Sequence, residues 1–244
     1  MKYLFFLFFF SLAIAKGQND FTIVGTYVDA PLTWAISAGQ NSTLKNVDDL
    51  RGGCIGISRY GSGSHIMSFV LGDQKGWLDS NEEDPFTFNV LKDFKGLRDG
   101  VNTGTADAFM WEQFTTKPYH DKCEVKRIGH ITTPWPAFLI AVRNEILDQD
   151  YEMIHRLLVG MTEACQLFIK EKESGQSIEY VSRTYGQKEE DVRAWFKTVK
   201  YAESCTHVSR SVLNNCVNTL LKAKVLDEGV EATELVDLRV ADLL

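Results

Sequence analysis

The sequence has little of what usually marks metal or redox chemistry. Its five cysteines stand far apart and include no C-x-x-C pair, unlike a zinc site or a dense disulfide framework. The five histidines are scattered and form no H-E-x-x-H motif, and there is no G-x-S-x-G elbow. Catalysis therefore finds little support, and we expect a non-catalytic protein without a cofactor or a bound metal.

The chain also lacks a concentrated basic face. Its net charge is −7, and lysine and arginine are dispersed along the sequence. Nucleic-acid binding usually needs clustered basic residues, so we expect no nucleic-acid partner. After the first residues, no apolar run is long enough to span a bilayer, so we expect no membrane span once a leader is removed.

The N-terminus has the pattern of a secretory leader. Met1-Lys2-Tyr3 precedes an apolar run, and Ala13-Ile14-Ala15 is typical of a cleavage site. We predict a signal peptide over residues 1–15 and a secreted or secretory-pathway protein, with an uncleaved anchor or a cytoplasmic protein as the alternatives. Asn41 begins an Asn-Ser-Thr glycosylation sequon, which matters only in the secretory pathway.

The cysteines leave two interpretations open. Each is most simply a small buried hydrophobic residue. One or two disulfide bridges, among the helical positions Cys165, Cys205 and Cys216, are the alternative. The number of cysteines is odd, and the sequence does not determine which of them pair.

A Gly/Ser turn is the most informative segment that the sequence contains. The apolar strand Cys54–Ser58 stops at Gly61-Ser62-Gly63-Ser64, and an apolar-periodic helix follows to about Gly76. The turn places backbone N–H groups and two hydroxyls at a helix N-terminus, which attracts anions. No lysine follows the glycine, so the segment is not a Walker A loop. A plain strand-to-helix turn capped by serine remains the alternative.

Strands and helices alternate along the first part of the chain. This order predicts an α/β lobe over residues 21–147 with a mostly parallel, covered sheet. The predicted strands are 21–27, 34–37, 54–58, 86–91, 106–111, 125–131 and 138–142.

The pattern changes near Asp148 to an all-helical region over residues 148–244. Apolar residues at helical spacing predict a helix over 151–169, and Ser177 is expected to cap a second helix that ends at Gly186. Two more helices are predicted over 188–201 and 208–226.

Four further side chains are candidates for ligand contact. Trp111 and Glu112 end a predicted strand, where ligands of open α/β sheets bind, and could stack on and accept hydrogen bonds from a ligand. Arg59 could pair with an anion or with Glu112, and Trp135 is held stiffly between two prolines. A packed tryptophan and solvated charges are the alternative. Tyr27 and Trp34 lie on presumed hinge strands and are further candidates.

Several segments together resemble the type II periplasmic-binding-protein fold. They are Ile23-Val-Gly-Thr-Tyr-Val28, Pro31-Leu-Thr-Trp-Ala-Ile36, Gly56–Ser64, Leu97-Arg-Asp-Gly-Val-Asn102, Ala106–Glu112 and Thr133-Pro-Trp-Pro136. The resemblance covers residues 21–200. Within the fold it is nearest to a small eukaryotic branch typified by an uncharacterised Candida protein and related to the thiamine-pyrimidine synthases.

The resemblance implies two lobes that close on a small ligand by a hinge motion, with the Gly/Ser turn of the second lobe on the ligand's polar or anionic group. Most of the first lobe would precede Ile23 in that family, so we expect an incomplete first lobe here, with residues 148–244 as the remnant of that lobe. The synthases carry clustered cysteines, which this sequence does not have.

The leading hypothesis is a solute-binding protein for a small anionic or heteroaromatic metabolite. The expected contacts are Arg59, Gly61, Ser62, Gly63, Ser64, Trp111, Glu112 and Trp135. An enzyme of thiamine-pyrimidine-type biosynthesis is one alternative. The other is an interaction module, in which the C-terminal helices pack on a protein partner or on a second copy of the chain.

Overall fold

The computed structural model describes residues 5–6, by their backbone alone, together with residues 20–78 and 85–244. The predicted signal peptide otherwise lies outside these residues and stays a prediction. The strands are β1 (Phe5–Phe6), β2 (Phe21–Gly39), β3 (Cys54–Ile57), β4 (Thr87–Val90), β5 (Ala108–Glu112), β6 (Val125–Arg143), β7 (His207–Val208) and β8 (Asp242–Leu243).

The described residues form eight helices. They are α1 (Gly63–Gln74), α2 (Phe94–Thr103), α3 (Gln113–Asp121), α4 (Asn144–Ser174), α5 (Gln176–Tyr185), α6 (Glu189–Thr198), α7 (Arg210–Lys222) and α8 (Ala232–Leu235), with a 3-10 turn at Val47–Leu50. Among the residues that the structure describes, no helix is long and apolar enough to cross a membrane.

The chain folds into two compact units. Unit 1 is made of residues 1–31, 134–218 and 228–244, and unit 2 of residues 32–133 and 219–227. These bounds differ from the predicted lobe over residues 21–147, because β2 and β6 each have residues in both units. The interpretation of the C-terminal region as the remnant of an incomplete first lobe stays a prediction.

In unit 2, a mixed sheet carries helices α1 to α3. β3 pairs in parallel with β4 and with β5, as predicted, and β5 pairs antiparallel with β2. Leu97 and Val101 of α2 pack on Phe109 of β5 in a buried cluster, and α1 packs on β3 and β5. The α/β prediction is confirmed, with parallel pairing confined to part of the sheet.

In unit 1, α4 packs on the N-terminal part of β2 and the C-terminal part of β6. Leu158 and Cys165 of α4 lie in one buried cluster with Val24, Ile140 and Cys205. Phe196 of α6 and Ile178 of α5 form a second cluster. The exposed side of α4 keeps large apolar side chains at Tyr151, Met153, Leu157, Val159, Leu167 and Ile169.

The first helix of this region contains a break that the sequence anticipates. Within α4, Asp150 has non-helical backbone angles (φ −160°, ψ 78°), and its carboxylate accepts a hydrogen bond from the Met153 amide at 2.8 Å. This contact is a helix cap, so a separate helical run starts at Tyr151, as predicted.

The predicted cap of α5 is wrong. Gly175, in the left-handed region at φ 84°, is both the end of α4 and the cap of α5. Ser177 is already inside the helix, and its hydroxyl donates to the Phe168 carbonyl at 2.6 Å. The left-handed glycine joins the two helices directly and leaves no extended residue for a serine cap.

Two pairs of predicted strands are each one continuous strand. Residues 21–27 and 34–37 join through Pro31 into β2, and residues 125–131 and 138–142 join through Pro134 and Pro136 into β6. The N–H groups of alternate residues point to the same edge of a strand. Pro134 and Pro136 are two residues apart, so the N–H groups that they lack would all lie on one edge of β6.

A glycine marks the closest approach of β2 to the loop before β7. A side chain at Gly25 would overlap the Cys205 carbonyl oxygen, which accepts a hydrogen bond from the Thr26 amide at 3.1 Å. The strand and the loop can therefore meet only at glycine.

We expect Gly25→Ala to lower the free energy of unfolding by about 2–3 kcal/mol, because the backbone must move apart. Gly160→Ala is the matched control, since Gly160 is exposed on α4 and its added methyl meets nothing within 4 Å. That change should stabilise the helix by about 0.5–1 kcal/mol. Urea unfolding measures both, and an unchanged midpoint for Gly25→Ala would contradict the close approach.

Candidate functional site

The parallel pairing of β3 with β5 brings two predicted site segments to one edge of the sheet in unit 2. Ile55 pairs with Ala108, so Arg59 comes level with Glu112. The Gly/Ser turn therefore follows β3 at the same edge where β5 ends, as ligand sites of parallel sheets require. Trp135 belongs to unit 1 and is buried there.

The hydroxyls of the turn bond within the turn. Ser62 caps α1 by accepting a hydrogen bond from the His65 amide at 3.5 Å, and its oxygen lies 3.0 Å from the Ser64 hydroxyl. Ser64 in turn accepts from the Ser58 amide at 3.3 Å. Both serines are buried. Gly61 reaches φ 74°, which favours glycine at this position.

The backbone amides at the start of α1 are the donors that remain. In the part of the chain that the structure describes, no residue accepts a hydrogen bond from the amide of Gly63 or of Ser64. These are the first two residues of a 12-residue helix, so the positive end of its dipole coincides with two open N–H groups. The local geometry is that of an anion-accepting helix end.

Glu112 stabilises a helix. Its two carboxylate oxygens accept hydrogen bonds from the amides of Phe114 at 2.9 Å and of Thr115 at 2.7 Å, and the Thr115 hydroxyl adds a third at 2.8 Å. These contacts cap α3 and place the negative charge at its N-terminus, where the dipole favours it. A hydrogen bond that Glu112 accepts from a ligand, as expected from the sequence, would compete with this cap.

Trp111 is part of an aromatic cluster beside α2. Its ring stacks on Phe94 with centroids 5.1 Å apart, and the Arg98 guanidinium lies 3.8 Å from the Tyr119 ring centroid. Arg98 also binds Glu124 at 2.7 Å. Arg59 is exposed, and no described residue forms an ion pair with it. The ligand roles of Trp111 and Arg59 stay predictions.

Trp34, a further candidate from the sequence, carries a polar atom without a partner in the described structure. The residue is 8% exposed, and its indole nitrogen has no hydrogen-bond partner among the described residues. It pairs with Glu112 in the β2–β5 register, so its side chain lies on the sheet face opposite Phe109 and Trp111, level with the start of the Gly/Ser turn. The sequence shows a tryptophan on a strand, but an unbonded donor is visible only in the fold.

One titratable residue nearby, His120, is structural in character. Burial, with a contribution from Arg127, lowers the pKa of His120 to about 4, and its Nε2 lies 3.0 Å from the Ser37 hydroxyl. The imidazole is therefore neutral at neutral pH. Within the described ranges, no three His, Cys, Asp or Glu residues cluster in a way that could hold a metal ion.

Comparison with known proteins places the chain in a family. A family model described as Ca3427-like PBP matches residues 34–131. The solved structure of the Candida albicans CA3427 gene product, described as defining a new family with the generic periplasmic binding protein fold, is 32% identical with a TM-score of 0.86. The match covers 99% of this chain and 80% of the Candida chain. The chain belongs to the Ca3427-like family.

More distant structures share the fold of the Ca3427-like family. The Escherichia coli periplasmic aliphatic sulphonate binding protein SsuA is 17% identical over 94% of this chain and 77% of its own, with a TM-score of 0.63. The alkanesulfonate-binding protein SsuA from Xanthomonas axonopodis pv. citri, bound to MOPS, is 16% identical over 93% and 76%, with a TM-score of 0.69. No curated protein matches the chain. The predicted resemblance to the periplasmic-binding-protein fold and its Candida branch is confirmed.

We expect Glu112→Gln to lower the free energy of unfolding by about 1 kcal/mol, because an amide caps α3 without the charge. Glu163→Gln is the control, since Glu163 is exposed within α4. Chemical denaturation of both variants measures the difference. Equal stability of the two variants would show that the cap contributes nothing, and would return Glu112 to the set of free ligand-binding groups.

Proposed function

We propose that the chain is a solute-binding protein for a small organic anion. The observation that carries the proposal is the pair of open amides at Gly63 and Ser64, on the positive end of α1. An oxyanion supplies the acceptors that these donors lack. The Ca3427-like fold and its sulphonate-binding neighbours support the same chemistry. Sulfonates, phosphate monoesters and carboxylates on a small or heteroaromatic body form the proposed ligand class.

The predicted contacts take different roles under this proposal. Gly63 and Ser64 bind the anion through their backbone amides, while Gly61 and Ser62 shape the turn that presents those amides. Arg59 is an exposed positive charge beside the turn and attracts the anion. Trp111, Glu112 and Trp135 position the neighbouring elements.

We also propose a secretory location. Asn41 lies at an exposed turn, as an N-glycosylation acceptor must. The predicted leader over residues 1–15 supports the same compartment.

Binding is tested by thermal denaturation with MOPS, short alkanesulfonates, phosphate monoesters and aromatic carboxylates. A compound present at 100 times its Kd stabilises the folded state by about 2.7 kcal/mol, or roughly 5–10 °C for a chain of this size. Gly63→Pro should weaken binding about 10- to 100-fold, because it removes one charge-assisted hydrogen bond.

The backbone accommodates this change. Proline is favoured at the first helical residue, and Ser62, at φ −76° and ψ 168°, already has the extended conformation that precedes proline. Gly63→Ala is the matched control, because it adds a Cβ and keeps the amide. Equal affinity of the two variants would remove the amide from the site. Absence of any wild-type shift would refute the proposed function, and turnover of a bound compound would favour an enzyme.

Trp34 is proposed as a further donor to the same ligand. A buried N–H without a partner costs about 1–3 kcal/mol, and a ligand oxygen would relieve that cost. Trp34→Phe keeps an aromatic ring and removes the N–H, so ligand affinity should fall about 10-fold while the melting temperature of the free protein stays level or rises. Trp195→Phe, in the Phe196 cluster of unit 1, is the control and should leave affinity unchanged. A Trp34→Phe protein that binds normally would assign the indole to packing alone.

A further inference from the structure

Two of the five cysteines lie together in the core of unit 1. Cys165 of α4 and Cys205, in the loop between α6 and β7, belong to the same buried cluster and are 5% and 0% exposed. The Cys205 thiol lies close enough to contribute to the raised pKa of the Cys165 thiol. They are 40 positions apart in the sequence, so only the fold identifies them as a pair.

The backbone around Cys205 explains why the two thiols meet. The Cys205 amide donates to the Thr162 hydroxyl at 2.9 Å, and Thr162 precedes Cys165 by three residues on the same face of α4. The Cys205 carbonyl accepts from the Thr26 amide of β2 at 3.1 Å. The backbone on both sides of the Cys205 side chain is thus held between α4 and β2, within the buried cluster that contains Cys165.

The remaining cysteines have different surroundings. Cys54 contacts the Thr105 carbonyl at 3.9 Å and, like the exposed Cys123, belongs to unit 2. Cys216 is buried on α7 and provides the only competing partner for this pair within unit 1. The shared cluster therefore favours a Cys165–Cys205 pair over a pair with Cys216, which is not part of that cluster.

We propose that Cys165 and Cys205 form a disulfide when the chain folds in an oxidising compartment. A low-molecular-weight disulfide such as oxidised glutathione is the oxidant. The first cysteine thiolate attacks it to form a mixed disulfide and releases one glutathione thiol. The second cysteine then displaces the other glutathione. Two protein thiols lose two electrons and two protons in total, and one glutathione disulfide becomes two glutathione thiols.

The surroundings of the pair determine when the bond forms. Burial raises the pKa of the Cys165 thiol to about 12, so little thiolate exists in the folded protein near neutral pH. Oxidation should therefore be fast while the chain folds and slow after both thiols are buried. Once formed, the bond closes a loop of about 40 residues, which stabilises the folded state through the unfolded chain.

Tryptic mapping identifies the bond directly. The full chain is refolded from urea in a mixture of reduced and oxidised glutathione, alkylated with N-ethylmaleimide and digested without reduction. We expect a cross-linked species of residues 157–170 and 201–210 that dithiothreitol separates. Alkylated or glutathionylated Cys165 and Cys205 in the folded product would overturn the proposal. So would a cross-link from residues 201–210 to residues 211–222, which contain Cys216.

Thermal denaturation gives a second readout. For each variant, the melting temperature of the oxidised protein is compared with that of the reduced protein. The oxidised wild-type protein should melt roughly 5–10 °C above the reduced protein. Cys165→Ala should abolish this difference, whereas Cys123→Ala should keep it, because Cys123 is exposed and lies in unit 2. A difference that survives in Cys165→Ala would overturn the proposal.

Discussion

The parallel register between β3 and β5 is the constraint on which the candidate site depends. Pairing Ile55 with Ala108 puts the carboxyl ends of both strands at one edge, with the Gly/Ser turn after one strand and Glu112 at the end of the other. A shift by one residue would turn Phe109 and Met110, both fully buried, to the opposite faces of the sheet. The hydrophobic core thus fixes the register, and the register fixes the site.

The polar side chains at this edge mostly serve the backbone. Ser62 caps α1, Ser64 bonds to the Ser58 amide, and Glu112 caps α3. Groups engaged in this way shape the turn. The donors that have no acceptor among the described residues are the amides of Gly63 and Ser64 and the indole of Trp34. Open donors of this kind complement an oxyanion better than a neutral hydrogen-bond donor. The proposed ligand class rests on these donors.

Local sequence signals predicted the elements whose boundaries are set locally. The Gly/Ser turn, the helix start at Tyr151 and the helix end at Gly186 all depend on residues within a few positions of one another. The continuity of β2 through Pro31 was not predictable in this way, because proline usually interrupts a strand. Whether the strand continues depends on the segments that pair with it, which are distant in the sequence. The same limit applies to Trp34 and to the Cys165–Cys205 contact. Each depends on residues that are distant in the sequence. The Trp34 indole finds no acceptor among the described residues, and Cys165 meets a cysteine 40 positions away.

The fold alone does not decide between binding and catalysis. A desulfurization enzyme, DSZB, matches the chain with a TM-score of 0.58 at 10% identity, as do sulphonate-binding proteins at similar distances. The side chains must therefore carry the argument. A general acid or base needs a pKa near the working pH and access to the substrate. His120, with a pKa of about 4, bonds to Ser37 on the sheet face that carries Phe109, whereas Trp34 lies on the other face. The sheet therefore separates His120 from the indole of Trp34, and His120 does not supply proton transfer at that donor.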